Sequence, residues 1–208
     1  MATTRKKAVR KSSSGKNTER AIRTAAVSMF SSQGYHAATL RKLAEEIGIK
    51  AGSLYNHIHN KQDLLYSLLN GIMQDLLQGF ESKVEGVDDP KRRLEIFIDN
   101  HVEFHTSRSE EVFIGNMELR NLESENHRAL VKLRDRYQRK LTEILADGER
   151  TGQFAIDDMK TTVFAIFGML NGISVWFNPR GPQSSSQISK RFQKLIWLIV
   201  AAKRSGKS

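Results

Sequence analysis

Residues 39–58, TLRKLAEEIGIKAGSLYNHI, decide how this chain is read. Thr39 is placed as the N-cap of a short helix that carries Leu40, Leu43, Ala44 and Ile47 on one face. Ala44 is small enough for a second helix to cross close to the first, and Gly48, four residues on, takes the left-handed turn. The second helix is expected from about Ala51 to Ile58, with Leu54 and Ile58 as an inward i, i+4 pair. Ile47, Ile49, Leu54 and Ile58 fill the wedge between the two helices. This is the pattern of a helix-turn-helix. Lys50, Ala51, Gly52, Ser53, Tyr55, Asn56 and His57 are left facing outward or sideways. The small residues at the start permit close approach to a groove floor. Tyr55, His57 and Lys61 are donors to phosphates, aided by helix N-terminal N–H groups.

Charge separates this pattern from a plain helical hairpin. The chain has 208 residues, 33 Lys and Arg against 23 Asp and Glu, and a net charge of +10. Residues 1–61 hold twelve Lys/Arg and three Glu, so +9 of that charge lies in the first third and the remainder is balanced. A basic module of this kind favours a polyanion, nucleic acid or an acidic membrane face. Six of the basic residues lie within 1–16, a Ser/Lys/Arg-rich stretch expected to be a disordered arm, either solubilising or contacting DNA.

Composition also excludes. The absence of Cys removes disulfide scaffolds, thiolate zinc sites and cysteine nucleophiles. The basic N-terminus has no apolar stretch behind it, so it is not a secretory signal. The longest strongly apolar run, Leu195 to Ala202, is far shorter than the ~18–20 residues of a spanning helix, so a cytoplasmic address and no membrane are expected.

After residue 17 the apolar positions recur at helical period and no useful strand alternation appears, which predicts an all-α protein of about nine helices. The first carries Ile22, Ala25, Ala26, Met29 and Phe30 from Asn17-Thr18 to Gly34. After the helix-turn-helix, Asn60 and Asp63 start a long helix to about Lys83 in the manner of a capping box. Asp89-Pro90 opens another over 90–107. Further helices are expected at 110–120, 124–151 (closed by Gly152), 157–177 (with Asp157 as N-cap) and 187–204. Residues 178–186 form a loop.

The segment 18–66 resembles the TetR-type transcriptional regulators. The resemblance rests on Ala25, Phe30 and Gly34-Tyr35; Ala38 to Ala44; Gly48-Ile49; Gly52 to Ile58; then Lys61 and Leu64-Leu65. The family usually has an aromatic residue where Ile58 stands. By that resemblance Thr39, Arg41, Ser53, Tyr55, Asn56, His57 and Lys61 correspond to DNA-facing positions, to which the outward set adds Lys50, Ala51 and Gly52. It implies three parts: the arm at 1–16, a DNA-binding domain at 17–61, and a ligand-binding and dimerisation domain at 62–208. It further implies a homodimer through the last two helices that sets two recognition helices in successive major grooves of a palindromic operator, about 34–36 Å apart. A small ligand in the C-terminal domain would tilt the long helix and release the operator, making the protein a repressor with no cofactor.

The C-terminal segment from Gly168 to Pro182 is similar to a subgroup regulating fatty-acid, steroid and aromatic-acid catabolism, often with an acyl-CoA thioester as effector. That subgroup has Trp-Tyr-Arg-Pro-Gly-Gly where this chain has Trp176-Phe177-Asn178-Pro179-Arg180-Gly181, so the Arg has moved. Candidate ligand-lining residues are Phe104, Met117, Arg120, Arg134, Phe167, Asn171 and Trp176, against the plainer reading of aromatic core and a solvated charged face. His101 and His105 stand at i, i+4, a spacing that can chelate a metal only with a third ligand, so no metal is assigned. No G-x-S-x-G elbow, P-loop or G-x-G-x-x-G is present to organise an enzyme. The competing class is a basic architectural or membrane-surface protein without sequence preference.

Overall fold

The computed structural model describes residues 2–201, with side chains from 17 onward. Among the described residues there are nine α-helices and no strand, apart from an isolated antiparallel bridge between Phe154 and Ala201. The helices are α1 (Ala2–Ala37), α2 (Leu40–Glu46), α3 (Ala51–Leu54), α4 (Lys61–Val84), α5 (Pro90–Ser107), α6 (Ser109–Met117), α7 (Ser124–Arg150), α8 (Met159–Trp176) and α9 (Ser185–Val200). A short 3-10 turn, Leu119–Asn121, follows α6. No helix among the described residues is long and apolar enough to cross a membrane.

Several boundaries differ from the sequence reading. Helix α1 is assigned from Ala2, ahead of Asn17-Thr18, and the side chains of the basic arm at 1–16 lie outside the described residues. Helix α3 ends at Leu54 rather than Ile58. Beyond it the N–H groups of Asn56 and His57 bond three residues back, to Ser53 and Leu54, because Gly52, Ser53, Asn56 and His57 are all weak helix formers. Asp158, not Asp157, caps α8, its carboxylate accepting from the Thr161 N–H at 2.6 Å. Ser184 and Gln187 form a reciprocal capping box that starts α9 earlier than 187, and α9 stops at Val200 where the chain turns extended into the bridge with Phe154. At Asn60 the cap accepts from the Asp63 N–H at 2.8 Å, while its amide returns a bond to the Asp63 carboxylate instead of the reverse main-chain bond. Asp89 with Pro90 at the first helical position opens α5 as expected.

The chain divides into two compact units. The first comprises Met1–Gly71 and Phe113–His127. Its interior is Ile22, Ala26, Phe30, Leu43, Ala44, Leu54 and Leu65, contributed by α1, α2, α3 and the start of α4. The segment at 113–127 joins it through polar contacts. Gln62 Nε2 donates to Tyr35 Oη at 2.9 Å and to the Asn121 carbonyl at 2.7 Å, and its Oε1 accepts from the Glu123 N–H at 3.1 Å.

The second unit comprises Ile72–Val112 and Arg128–Ser208. In it α5 packs against α8 and α9 around Phe97, Ile98, Val102, Leu141, Ile166, Leu170 and Ile196, all buried. Gly148 on α7 lies flat against Phe154, where a Cβ would come within 1.9 Å of the ring. Glycine is required there for the ring to seat.

Candidate nucleic-acid interface

Local chemistry presents α3 to solvent. The Thr39 hydroxyl accepts from the Lys42 N–H at 3.2 Å and caps α2, so α2 begins where the sequence placed it. At the far end the chain reverses through Gly48, with φ of 70°, and the N–H groups of Gly48 and Ile49 bond back to Glu45 and Ala44. Leu54 is fully buried and Ile58 nearly so, which anchors the inner side of the second helix in the wedge expected of them.

Opposite these anchors, Lys50, Ala51, Gly52, Ser53, Tyr55, Asn56 and His57 are exposed, as are Thr39 and Arg41 on α2. Tyr55 has about half its surface open, at 53%, which is unusual for a large aromatic residue and leaves both ring and hydroxyl available. A Cβ on Gly52 would meet nothing within 4 Å, so that side of α3 is open to close approach. Among the described residues Arg41 pairs with its helix neighbour Glu45, at 3.2 Å, a solvated pair that is readily exchanged for a phosphate.

Two expected contacts are already engaged within the protein. Lys61 is half-buried; its Nζ donates to the His36 carbonyl at 3.2 Å and lies 4.3 Å from the centre of the Tyr35 ring. Burial pulls its pKa down from the ordinary lysine value, partly opposed by Glu118. His57 Nδ1 lies 4.0 Å from Glu19, on the wall of a groove of about 640 Å³ that also takes in Arg20, Arg23, His59 and Asp63. Sequence reading missed the anchor of this unit, Glu118. Its carboxylate accepts the Tyr35 N–H at 3.2 Å just after Gly34, whose φ is 77°. A Gly-aromatic step at the end of a helix was visible in the sequence, but its partner was not.

The ligand candidates separate. Met117 and Arg120 are exposed and belong to the first unit, so they are not part of the second unit's interior. In the second unit Phe167 sits in an aromatic cluster with Phe97, Tyr137 and His101, ring centres 5.9 to 6.1 Å away. Asn171, exposed on α8, is close enough to His101 and His105 to raise both imidazole pKa values against the larger effect of burial. Phe104 is half-buried with the Arg108 guanidinium 4.5 Å from its ring centre. Arg134 is half-buried, and burial lowers its pKa. Trp176 stacks on Phe192 at 6.4 Å and is half exposed. Arg136 pairs with Glu81 at 2.8 Å and Lys140 with Glu143 at 3.5 Å, the solvated charged face that sequence reading weighed against an anion site. No group of three or more metal-ligating side chains occurs among the described residues.

Comparison with known proteins adds a relationship to this geometry. Residues 22–68 match the family described as bacterial regulatory proteins, tetR family, and residues 87–200 match the tetracyclin repressor-like C-terminal domain. The chain is 27% identical over 173 residues to the HTH-type transcriptional repressor KstR2 of Mycobacterium tuberculosis, covering 82% of this chain and 86% of that one. It is 25% identical over 154 residues to the fatty acid metabolism regulator protein of Bacillus subtilis, covering 73% and 79%. The solved structure of AibR in complex with isovaleryl coenzyme A and operator DNA superposes with a TM-score of 0.78 at 25% identity, over 85% of this chain and 96% of that one.

Proposed function

The chain belongs to the TetR family and is a DNA-binding transcriptional repressor, not an enzyme; on that premise we propose that it binds a palindromic operator as a homodimer and leaves it when a small acyl-CoA-like ligand occupies the second unit. The observation that carries the DNA reading is the surface of α3. Leu54 and Ile58 are sunk in the wedge, while Lys50 to Ser53 and Tyr55 to His57 stand clear of it. Thr39, Arg41 and Lys61 flank that surface. In this account Ala51, Gly52 and Ser53 allow the helix onto the groove floor. Tyr55, Asn56 and His57 supply the contacts that read or position, and the basic residues hold phosphates.

The dimer is assigned to α8 and α9. Their outer faces expose Phe164, Val175, Trp176, Leu195, Leu198 and Ile199, an apolar stripe of the kind that a second copy covers. The effector class is supported by AibR, whose solved complex holds isovaleryl coenzyme A and operator DNA together. It is also supported by the likeness to regulators named for ketosteroid and fatty acid metabolism. Phe104, Phe167, Asn171, Trp176 and Arg134 remain the proposed lining. Helix α4, whose residues divide between the two units, is the element through which ligand binding would bias operator affinity.

The test is a thermal-shift panel of free CoA, acyl-CoA thioesters and the matching free acids, run beside release of the protein from its selected DNA site. A ligand at ~100 times its Kd adds about 2.7 kcal/mol to stability. The proposal expects thioesters alone to raise the melting temperature and to release DNA. A flat panel removes the acyl-CoA class.

A further inference from the structure

His101 and His105 on α5 stack face to face, ring centres 3.8 Å apart and 14° from parallel, deep in the second unit. Both are buried. Around them lie Phe97, Phe104, Tyr137, Phe167 and Asn171, so no cation stands among the described contacts of either ring. The hydrogen-bond network assigns the protons. His105 Nδ1 lies 2.9 Å from the His101 carbonyl, which only accepts, so Nδ1 of His105 is the donor. The Tyr137 hydroxyl, 3.4 Å from His101 Nδ1, stays protonated because burial pushes its pKa up; with the Asn100 amide donating to its oxygen, the hydroxyl proton is left for that nitrogen. A neutral His101 therefore carries its proton on Nε2. That Nε2 is buried and is the one buried side-chain polar atom among the described residues that makes no well-formed hydrogen bond; the acceptor that comes near the ring is the side-chain amide of Asn171, exposed on α8.

A buried donor whose nearby acceptor is an exposed amide held short of good geometry is costly and uncommon, and an ordered water, an ion, a catalytic step or a ligand is what completes such a group. Aromatic neighbours around one weakly engaged donor suit a ligand of mainly hydrocarbon surface with a single neutral acceptor. We propose that His101 Nε2–H is the donor for a carbonyl oxygen, of a thioester or a ketone, on the ligand that enters the second unit. The proposal rests on the reading of that unit as the effector domain. A carboxylate is disfavoured directly at His101, where the described ring contacts are aromatic or neutral and the cation of the proposed lining, Arg134, is not among them. Burial holds both imidazoles neutral, with His105 pushed down to about 4 and His101 well below the ordinary value, so neither ring supplies one. His101 is thereby a specificity-determining residue, choosing acyl derivatives over the corresponding acids.

The experiment uses the full-length protein with histidine side chains labelled by ¹⁵N. It is titrated with three matched probes: cyclohexanone, methylenecyclohexane and cyclohexanecarboxylate. Cyclohexanone is expected to shift the His101 Nε2 resonance and cyclohexanecarboxylate to bind weakest. The ratio of cyclohexanone to methylenecyclohexane affinity should fall about tenfold in His101→Phe and be largely kept in His101→Gln, which retains a donor near the Nε2 position. An unchanged ratio in His101→Phe, a preference for the carboxylate, or no response of His101 to any probe overturns the proposal. Operator release by thioesters that is as efficient in His101→Phe as in the parent also overturns it, while leaving the acyl-CoA reading intact. The expected ratio change without operator release by any thioester supports the donor role and removes that effector class.

Discussion

The main-chain N–H of Tyr35 donates to the carboxylate of Glu118, 83 residues further along the chain, at 3.2 Å within the interior of the DNA-binding unit. Tyr35 sits there because Gly34 turns α1 with a φ of 77°, and Glu118 is itself buried. Removing the acceptor strands a buried N–H. Glu118→Ala should therefore lower unfolding stability by about 1–3 kcal/mol. Glu118→Gln, which keeps an acceptor of the same reach, should cost less. Urea unfolding of the two variants separates them, and equal losses would place the effect outside this bond.

Tyr55 is the C-cap residue that follows α3 and has about half its surface exposed. Tyr55→Ala should leave the melting temperature unchanged and weaken site-specific DNA binding by about tenfold, the equivalent of one good hydrogen bond at the interface. Removal of residues 2–16 should act differently. The six basic residues there would hold phosphates, so affinity should fall alike on site-bearing and random duplexes, and the salt dependence should flatten by about 0.9 per lost contact. Fluorescence anisotropy across a salt series measures both. A loss confined to the specific duplex would assign base reading to the arm.

Stability should fall with acid in a window set by the stacked histidines. In the unfolded chain they titrate near 6.5, whereas burial pushes His105 down to about 4 and His101 well below its ordinary value. Between these limits the unfolded chain takes up protons that the folded protein refuses. The contribution of neutral burial is thus complete above pH 6.5 and is lost as pH falls toward 4, by up to about 1.4 kcal/mol per pH unit for each ring. His105→Phe should flatten the decline between pH 6.5 and 5 in urea midpoints. The same slope with and without His105 would contradict the assignment.

Gly148 tests the packing of α7 on the following turn. A methyl group there would come within 1.9 Å of Phe154, whose ring also meets Trp197 edge-on at 5.9 Å. Gly148→Ala should destabilise the second unit by about 1–3 kcal/mol through overpacking. In a Phe154→Ala background the same substitution should cost much less, because the clash is gone. Thermal melts of the four proteins in this cycle check it, and additive losses would refute the contact.

The helix-turn-helix was legible because its information is local. Thr39 as cap, Ala44 at the crossing, Gly48 at the turn and Leu54 with Ile58 beneath all lie within twenty residues and act through sterics alone. The early end of α3 was not legible, since Leu54 and Ile58 keep helical spacing even where the backbone has tightened to three-residue bonds. The placement of 113–127 was hidden for a different reason. Gln62 is polar and lies far in sequence from the polar pair Glu118 and Asn121, so nothing in the pattern announces that they meet. The His101-His105 spacing was visible, but i, i+4 serves chelation and stacking equally, and only the burial of the rings and their partners separates the two.

Sequence-specific DNA binding by α3 is what separates a repressor from a basic protein that merely holds phosphates. The measurement is selection of duplexes from a random pool by the full-length protein. The enriched site is then compared with its scramble by anisotropy at one fixed salt concentration. A repressor reading DNA through two copies of α3 should enrich an inverted repeat with half-sites about one helical turn apart. It should prefer that site by roughly 10³-fold or more. A pool that stays random, with affinity that only falls steeply with salt, would contradict it and leave a basic protein that binds DNA without reading it.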